Sequence, residues 1–170
     1  MSGIRFRIDY LINKFSLIFG LVQVALCVTA RILSKSPYEA LYLLNASDIL
    51  PPIWIFNILS MIWFFVSGLA FGIIIYRIVM RRNVLSEVVE GYNGGLYYVA
   101  LVLLSLIWYP LFFSCRIAIA LAISLICAIC AVFCGVIWQR IDRYAALIIL
   151  SYSVWLTYIL IVNAAIFIRI

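Results

Sequence analysis

The 170-residue chain is 69% hydrophobic and 11% charged, with a mean hydropathy of +1.26 and a formal net charge of +6. Soluble domains are about 45–50% apolar, so this composition excludes a water-soluble globule and makes lipid the solvent. The chain has no histidine, which excludes a histidine-ligated metal and a histidine base; its twelve basic residues mostly flank apolar runs, which ties the positive charge to membrane topology and not to nucleic acid.

A spanning helix needs about 20 mainly apolar residues, and five stretches qualify. The opening "MSGIRFRIDYLINKF" puts basic residues before the first run, 11–30, and no small-residue cleavage site follows it. This predicts a retained first span, with Lys14 snorkelling at its start. The connection 32–52 contains Pro37, Asn45 and Asp48, and "YEALYLL" within it predicts a short interfacial helix. Asn45-Ala46-Ser47 matches a glycosylation sequon of a kind common by chance. Pro51 and Pro52 open the second span, 53–76, because first-turn N–H groups are unpaired in any helix.

"RRNVLSEVVEGYNGG" then reads as a charged link ending in a glycine break before the third span, 96–115. Only Arg116 separates that span from the fourth, 117–138, which predicts a tight turn at 114–116. A second tight turn, 139–143, leads to the fifth span, 144–168. Links this short require antiparallel neighbours. The predicted fold class is an all-α integral membrane protein, a five-transmembrane-helix bundle forming one domain over 1–170.

Basic residues near the span ends set the orientation. Arg5, Arg7, Lys14, Arg77, Arg81, Arg82, Arg140 and Arg143 fall on the N-terminal side, and Arg31, Lys35, Arg116 and Arg169 on the other. The bias predicts an inside N-terminus, with the first loop and the C-terminus outside.

Tryptophan and tyrosine usually gather at membrane interfaces. Trp54 and Trp138, at span ends, fit that pattern. Trp63 and Trp155 lie mid-span, and Trp108 lies in the later part of the third span. Tyr152, Trp155 and Ile159 share a helical face, with Asn163 beyond. An indole N–H or an amide at that depth needs a partner across helices or a guest in a cavity. Ser60, Ser67, Ser105, Ser151, Ser153 and Thr157 permit close helix approach or leave room for a guest.

Cys127, Cys130 and Cys134 share one apolar face without charged neighbours, so they read as packing residues and not as a metal or redox site. Gly68 and Gly72 form a GxxxG pattern, a close-approach motif and a weak dimer signal. Carboxylates are missing from the deep positions, against a proton relay. No phosphate loop or nucleophile–base pair is visible. The sequence assigns no catalytic and no metal residues.

"PPIWIF", "WYPLFF" followed by Arg116, and "DRYAALIILSYSVWLTYILIVN" together resemble the TspO/translocator protein family, also known as the tryptophan-rich sensory or peripheral benzodiazepine receptor family. The resemblance runs from about Tyr38 to Asn163. It implies a five-helix bundle, often a homodimer, with a pocket under the first loop for porphyrins, sterols or drug-like aromatics. The ligand-binding candidates it implies are Trp54, Phe56, Asn57, Trp108, Trp155 and Ile159, supported by Tyr152 and Asn163. No cofactor is required; a porphyrin or haem-like tetrapyrrole is the expected ligand, and the bilayer and a hydrophobic small molecule are the expected partners. The expected location is the cytoplasmic membrane of a prokaryote.

Departures from the family pattern are specific. Ser60 stands where the family has a tryptophan, Ser105 where it has an asparagine, and Ser151 where it has a proline. The first loop is a few residues longer, and no tyrosine completes the C-terminal sterol pattern. The leading expectation is a binding protein or sensor. The alternatives are light- or oxygen-dependent porphyrin breakdown, transport of the same guests, and a helper role in a larger complex. The charge bias gives a direct test of topology: a reporter fused after Ile170 should be active only on the outer face, and cytoplasmic activity would overturn the orientation.

Overall fold

The computed structural model describes residues 13–34, 50–80 and 85–169. The interfacial-helix and sequon readings in the first loop, and residues Arg5, Arg7, Lys35, Arg81 and Arg82, lie outside the described residues. Five helices follow in order: α1 (Lys14–Ile32), α2 (Ile53–Met80), α3 (Leu85–Phe113), α4 (Ile117–Trp138) and α5 (Arg143–Arg169). All five are long and apolar enough to cross a bilayer. Each is apolar over most of its circumference, as a helix solvated by lipid must be.

Local chemistry sets the helix ends. Asn13 caps α1, its side chain accepting from Ser16 N at 3.0 Å. The Pro52 carbonyl starts α2, accepting from Ile55 N at 2.8 Å. Between α3 and α4, Cys115 takes a left-handed φ of 60°. Arg116 N donates to Leu111 O at 3.1 Å and Cys115 N to Phe112 O at 3.0 Å. This is a Schellman-type stop made without glycine, and it delivers the predicted tight turn. Asp142 caps α5, accepting from Tyr144 N and Ala145 N at 2.9 and 3.0 Å. Its other oxygen meets Arg77 at the end of α2, at 3.0 Å.

In the bundle α2 lies between α1 and α5, α4 lies between α5 and α3, and α3 closes back more loosely on α1 and α2. The GxxxG pattern is used within the chain. A Cβ on Gly68 would lie 2.8 Å from the Gly20 Cα, and one on Gly72 would run into the Ser16 backbone. Glycine is therefore required at both positions for α1 to seat on α2.

The core divides into two clusters. At the end where α1 stops and α2 starts, here called the α1–α2 end, Phe56, Trp108, Phe112, Phe113 and Ile159 pack together. Toward the other end, Phe71, Tyr98 and Trp138 form a stack, with Phe71–Tyr98 centroids 4.6 Å apart and 10° from parallel.

Two sequence expectations change here. Residues 85–95 are helical, so α3 starts well before the predicted 96 and Gly94-Gly95 is not a break. Gly94 is small because the Trp138 indole lies against it: an added Cβ would sit 2.5 Å from Trp138 Cδ1. For the same reason Trp138 is not an interface residue. It is 0% exposed, held between Gly94 and the Phe71–Tyr98 stack. The remaining helix ends fall within a few residues of the predicted spans, with α2 running on to Met80.

Glycine packing gives the second prediction. Gly72→Val should destabilise the bundle by about 1–3 kcal/mol, the usual cost of overpacking. Gly95→Ala should be neutral or better, since an added Cβ there meets only Phe71 Cε2 at 4.0 Å. Thermal unfolding in detergent checks both, and equal melting temperatures for the two variants would refute the α1–α2 contact.

Candidate ligand-binding site

Three helices bring aromatic rings together at the α1–α2 end. The first turn of α2 supplies Phe56, the last turns of α3 supply Trp108 and Phe112, and the middle of α5 supplies Trp155. Phe56 stands between the two indoles, its centroid 6.3 Å from Trp108 and 5.7 Å from Trp155. Trp108 stacks on Phe112 at 4.8 Å, and Trp155 on Tyr158 at 5.3 Å.

A cavity lies on the membrane-centre side of these rings. Its volume is about 20 Å³. That is room for about one water, whereas pockets for drug-sized ligands span about 300–1,000 Å³. The lining is aromatic and aliphatic, from Trp108, Trp155, Tyr109, Phe64, Leu156 and Ile159. Its polar groups come from Ser105, Ser124, Cys127 and Tyr152. None of these side chains is a formal ion at neutral pH.

Polar groups around the cavity are only partly satisfied. Ser124 Oγ donates to Leu121 O at 2.8 Å, Ser105 Oγ to Cys127 Sγ at 3.7 Å, and the Tyr109 hydroxyl lies 3.6 Å from Cys27 Sγ. The Tyr152 hydroxyl faces Ser105. Trp108 Nε1, Ser60 Oγ, Asn57 Oδ1 and Asn163 Oδ1 are buried without a hydrogen-bond partner among the described residues. Asn163 spends its amide N–H on Ile159 O at 2.9 Å. Of these unpartnered groups only Trp108 Nε1 belongs to a residue that lines the cavity, and a buried polar group normally pairs.

The sequence candidates separate on the structure. Trp108, Trp155, Ile159 and Tyr152 line the cavity, and Phe56 closes it in by contact with both indoles. Asn57 and Asn163 stand one helical turn or less from Phe56 and Ile159 and present the orphaned oxygens. Trp54 does not join them: it is 63% exposed on the outer face of α2, about 200° round the helix from Phe56. Ser60 is buried facing Tyr109, and Trp63 packs its ring 6.1 Å from Tyr152 without reaching the cavity. Sequence reasoning missed Tyr109 and Phe64. The available signal was spacing, since Tyr109 follows Ser105 by four residues and Phe64 follows Ser60 by four.

No curated protein and no solved structure matches the chain significantly. The model of the TspO/MBR family matches residues 18–169, nearly the whole length, and spans all the elements that build this site. The chain is thus a member of the TspO/MBR family, an integral membrane protein of five helices.

Proposed function

We propose that the protein binds flat, largely apolar molecules of the porphyrin type among Phe56, Trp108 and Trp155, as a ligand-binding or sensing protein of the membrane. The observation that supports this most is the Trp108 indole. It is 5% exposed and lines the cavity, and its N–H lacks a partner among the described residues. Rings on three helices offer stacking faces, and the neutral hydroxyls and amide oxygens offer a few polar handles. That mixture suits a planar apolar guest.

Titration of the purified protein with a porphyrin, read by tryptophan fluorescence, tests the proposal. Binding should quench the indoles. Trp155→Leu should weaken binding about fivefold or more, since a lost ring contact is worth about 0.5–1.5 kcal/mol and 1.4 kcal/mol is tenfold. Trp54→Leu, on the outer face of α2, should leave the affinity unchanged. Equal affinities for wild type, Trp155→Leu and Trp108→Leu would place the site elsewhere.

Breakdown of the guest is not expected. The family pattern sets a pair of indoles beside the excited ring; here Ser60 supplies a hydroxyl in place of one of them, Trp63 packs against the other core cluster, and Trp155 is left without its pair. Under illumination the bound porphyrin should bleach no faster than in detergent alone. Rapid bleaching that is lost in Trp155→Phe would make the enzyme reading the better one.

A further inference from the structure

We infer that the cavity beside Trp108 is an oxygen subsite: it takes one uncharged acceptor of the guest, a carbonyl oxygen, which receives the Trp108 indole N–H. The inference rests on the porphyrin-binding reading and adds the chemical class of the guest's polar group. The donor carries it first. An indole N–H donates and cannot accept, so only an acceptor satisfies it. Trp108 is 5% exposed and lines the cavity, and its Nε1 has no partner among the described residues. A buried donor left in that state is costly, and an acceptor brought by a guest removes the cost.

The surroundings set the class of acceptor. The other polar side chains of the described lining are engaged: Ser124 Oγ donates to Leu121 O at 2.8 Å, Ser105 Oγ to Cys127 Sγ at 3.7 Å, the Tyr152 hydroxyl faces Ser105, and the Tyr109 hydroxyl lies 3.6 Å from Cys27 Sγ. Trp108 thus offers the one unpartnered donor of that lining. The same residues include no cation. A carboxylate there would be a buried charge without a counter-ion, so the acceptor the site favours is neutral. Size sets the rest. A volume of about 20 Å³ is room for about one water, hence for one oxygen atom and not for a ring. A carbonyl oxygen that projects from the edge of a flat macrocycle meets both conditions, while the ring body stays among Phe56, Trp108 and Trp155.

The test compares octaethylporphyrin with its oxo derivative, a flat macrocycle that carries one ring ketone, on the wild type and Trp108→Phe in detergent. Trp108→Phe keeps an aromatic face and removes the N–H. It should lower the ratio of ketone affinity to parent affinity about fivefold or more, the size of one net hydrogen bond. The infrared C=O stretch of the ketone should fall on binding to the wild type, relative to the ketone in detergent alone, and should not fall in Trp108→Phe. The stretch in the wild type decides the matter even where the variant fails to fold. An unshifted stretch in the wild type, or the same affinity ratio in wild type and Trp108→Phe, overturns the inference and leaves the porphyrin reading standing. So does a ratio that survives Trp108→Phe and is lost in Tyr152→Phe, which would make a hydroxyl the donor. A wild type that binds neither macrocycle would remove the porphyrin reading itself.

Discussion

A bilayer core offers no water to a polar group, and that single constraint orders the interior of this bundle. Each unsatisfied polar group in hydrocarbon costs several kcal/mol, so each must find a partner inside the protein. Most of the small hydroxyls do so on their own helix. Ser67 donates to Phe64 O, Ser153 to Leu150 O, Thr157 to Ser153 O and Thr29 to Ala25 O, all at 2.7–2.9 Å. Such back-bonding hides a hydroxyl without committing a neighbouring helix. The indoles and the tyrosines cannot hide this way, and a carboxamide hides only its N–H: Asn163 donates to Ile159 O and its Oδ1 is left over. The placement of these groups separates the two halves of the core.

In the half built on Trp138, the indole is fully buried against Gly94. The Trp138 and Tyr98 polar atoms are orphaned like Trp108 Nε1, but they are sealed in a stack against Gly94, with Cys134 Sγ donating to the Gly94 carbonyl at 3.5 Å. The same end carries the Arg77–Asp142 pair. Asp142 is 3% exposed, yet it accepts from two backbone N–H groups and from the Nε and Nη2 of Arg77. A buried charge satisfied this fully ties α2 to the start of α5, and losing one partner would strand the other. The half built on Trp108 has no such lock among the described residues, and the cavity lies there. The ion-paired lock and the cavity thus lie toward opposite ends of one bundle.

What could be read from the sequence follows the same division. The five spans, the 114–116 turn and the antiparallel order are one-dimensional consequences of hydropathy and link length, and they match the helices closely. The start of α3 was not legible, because glycine at 94 and 95 signals a break unless one knows that Trp138 needs the space. Trp138 itself was misplaced because position along a span gives depth and not azimuth: a residue at a helix end can face the core as easily as the interface. Trp54 and Phe56 show the same limit within one motif. They are two residues apart, so about 200° of helical rotation separates them, and only one can face the bundle. The rings that meet beside the cavity, Phe56, Trp108 and Trp155, are among the candidates the family resemblance implied, as is Trp54, which faces away. The small volume of the cavity was not legible, since it depends on how Phe56 wedges between two indoles from other helices.

That wedge has a consequence for any guest of porphyrin size. Space for about one water cannot admit a macrocycle, so Phe56, Trp108 and Trp155 must separate on binding, and their mutual contacts are lost. Each aromatic pair is worth about 0.5–1.5 kcal/mol beyond its buried area, so a guest that stacks on the same faces replaces what it displaces. The part of α3 that such a guest would displace lacks one helix hydrogen bond. Pro110 lies inside the helix and cannot donate to the Leu106 carbonyl, which removes one rung beside Trp108 and Phe112. Two residues after Phe113, the left-handed Cys115 ends the helix. The apparent affinity then measures the intrinsic affinity reduced by the fraction of protein in the open state. A substitution that loosens Phe56 without removing the indoles acts on that fraction alone, which separates the cost of opening the site from the strength of its grip.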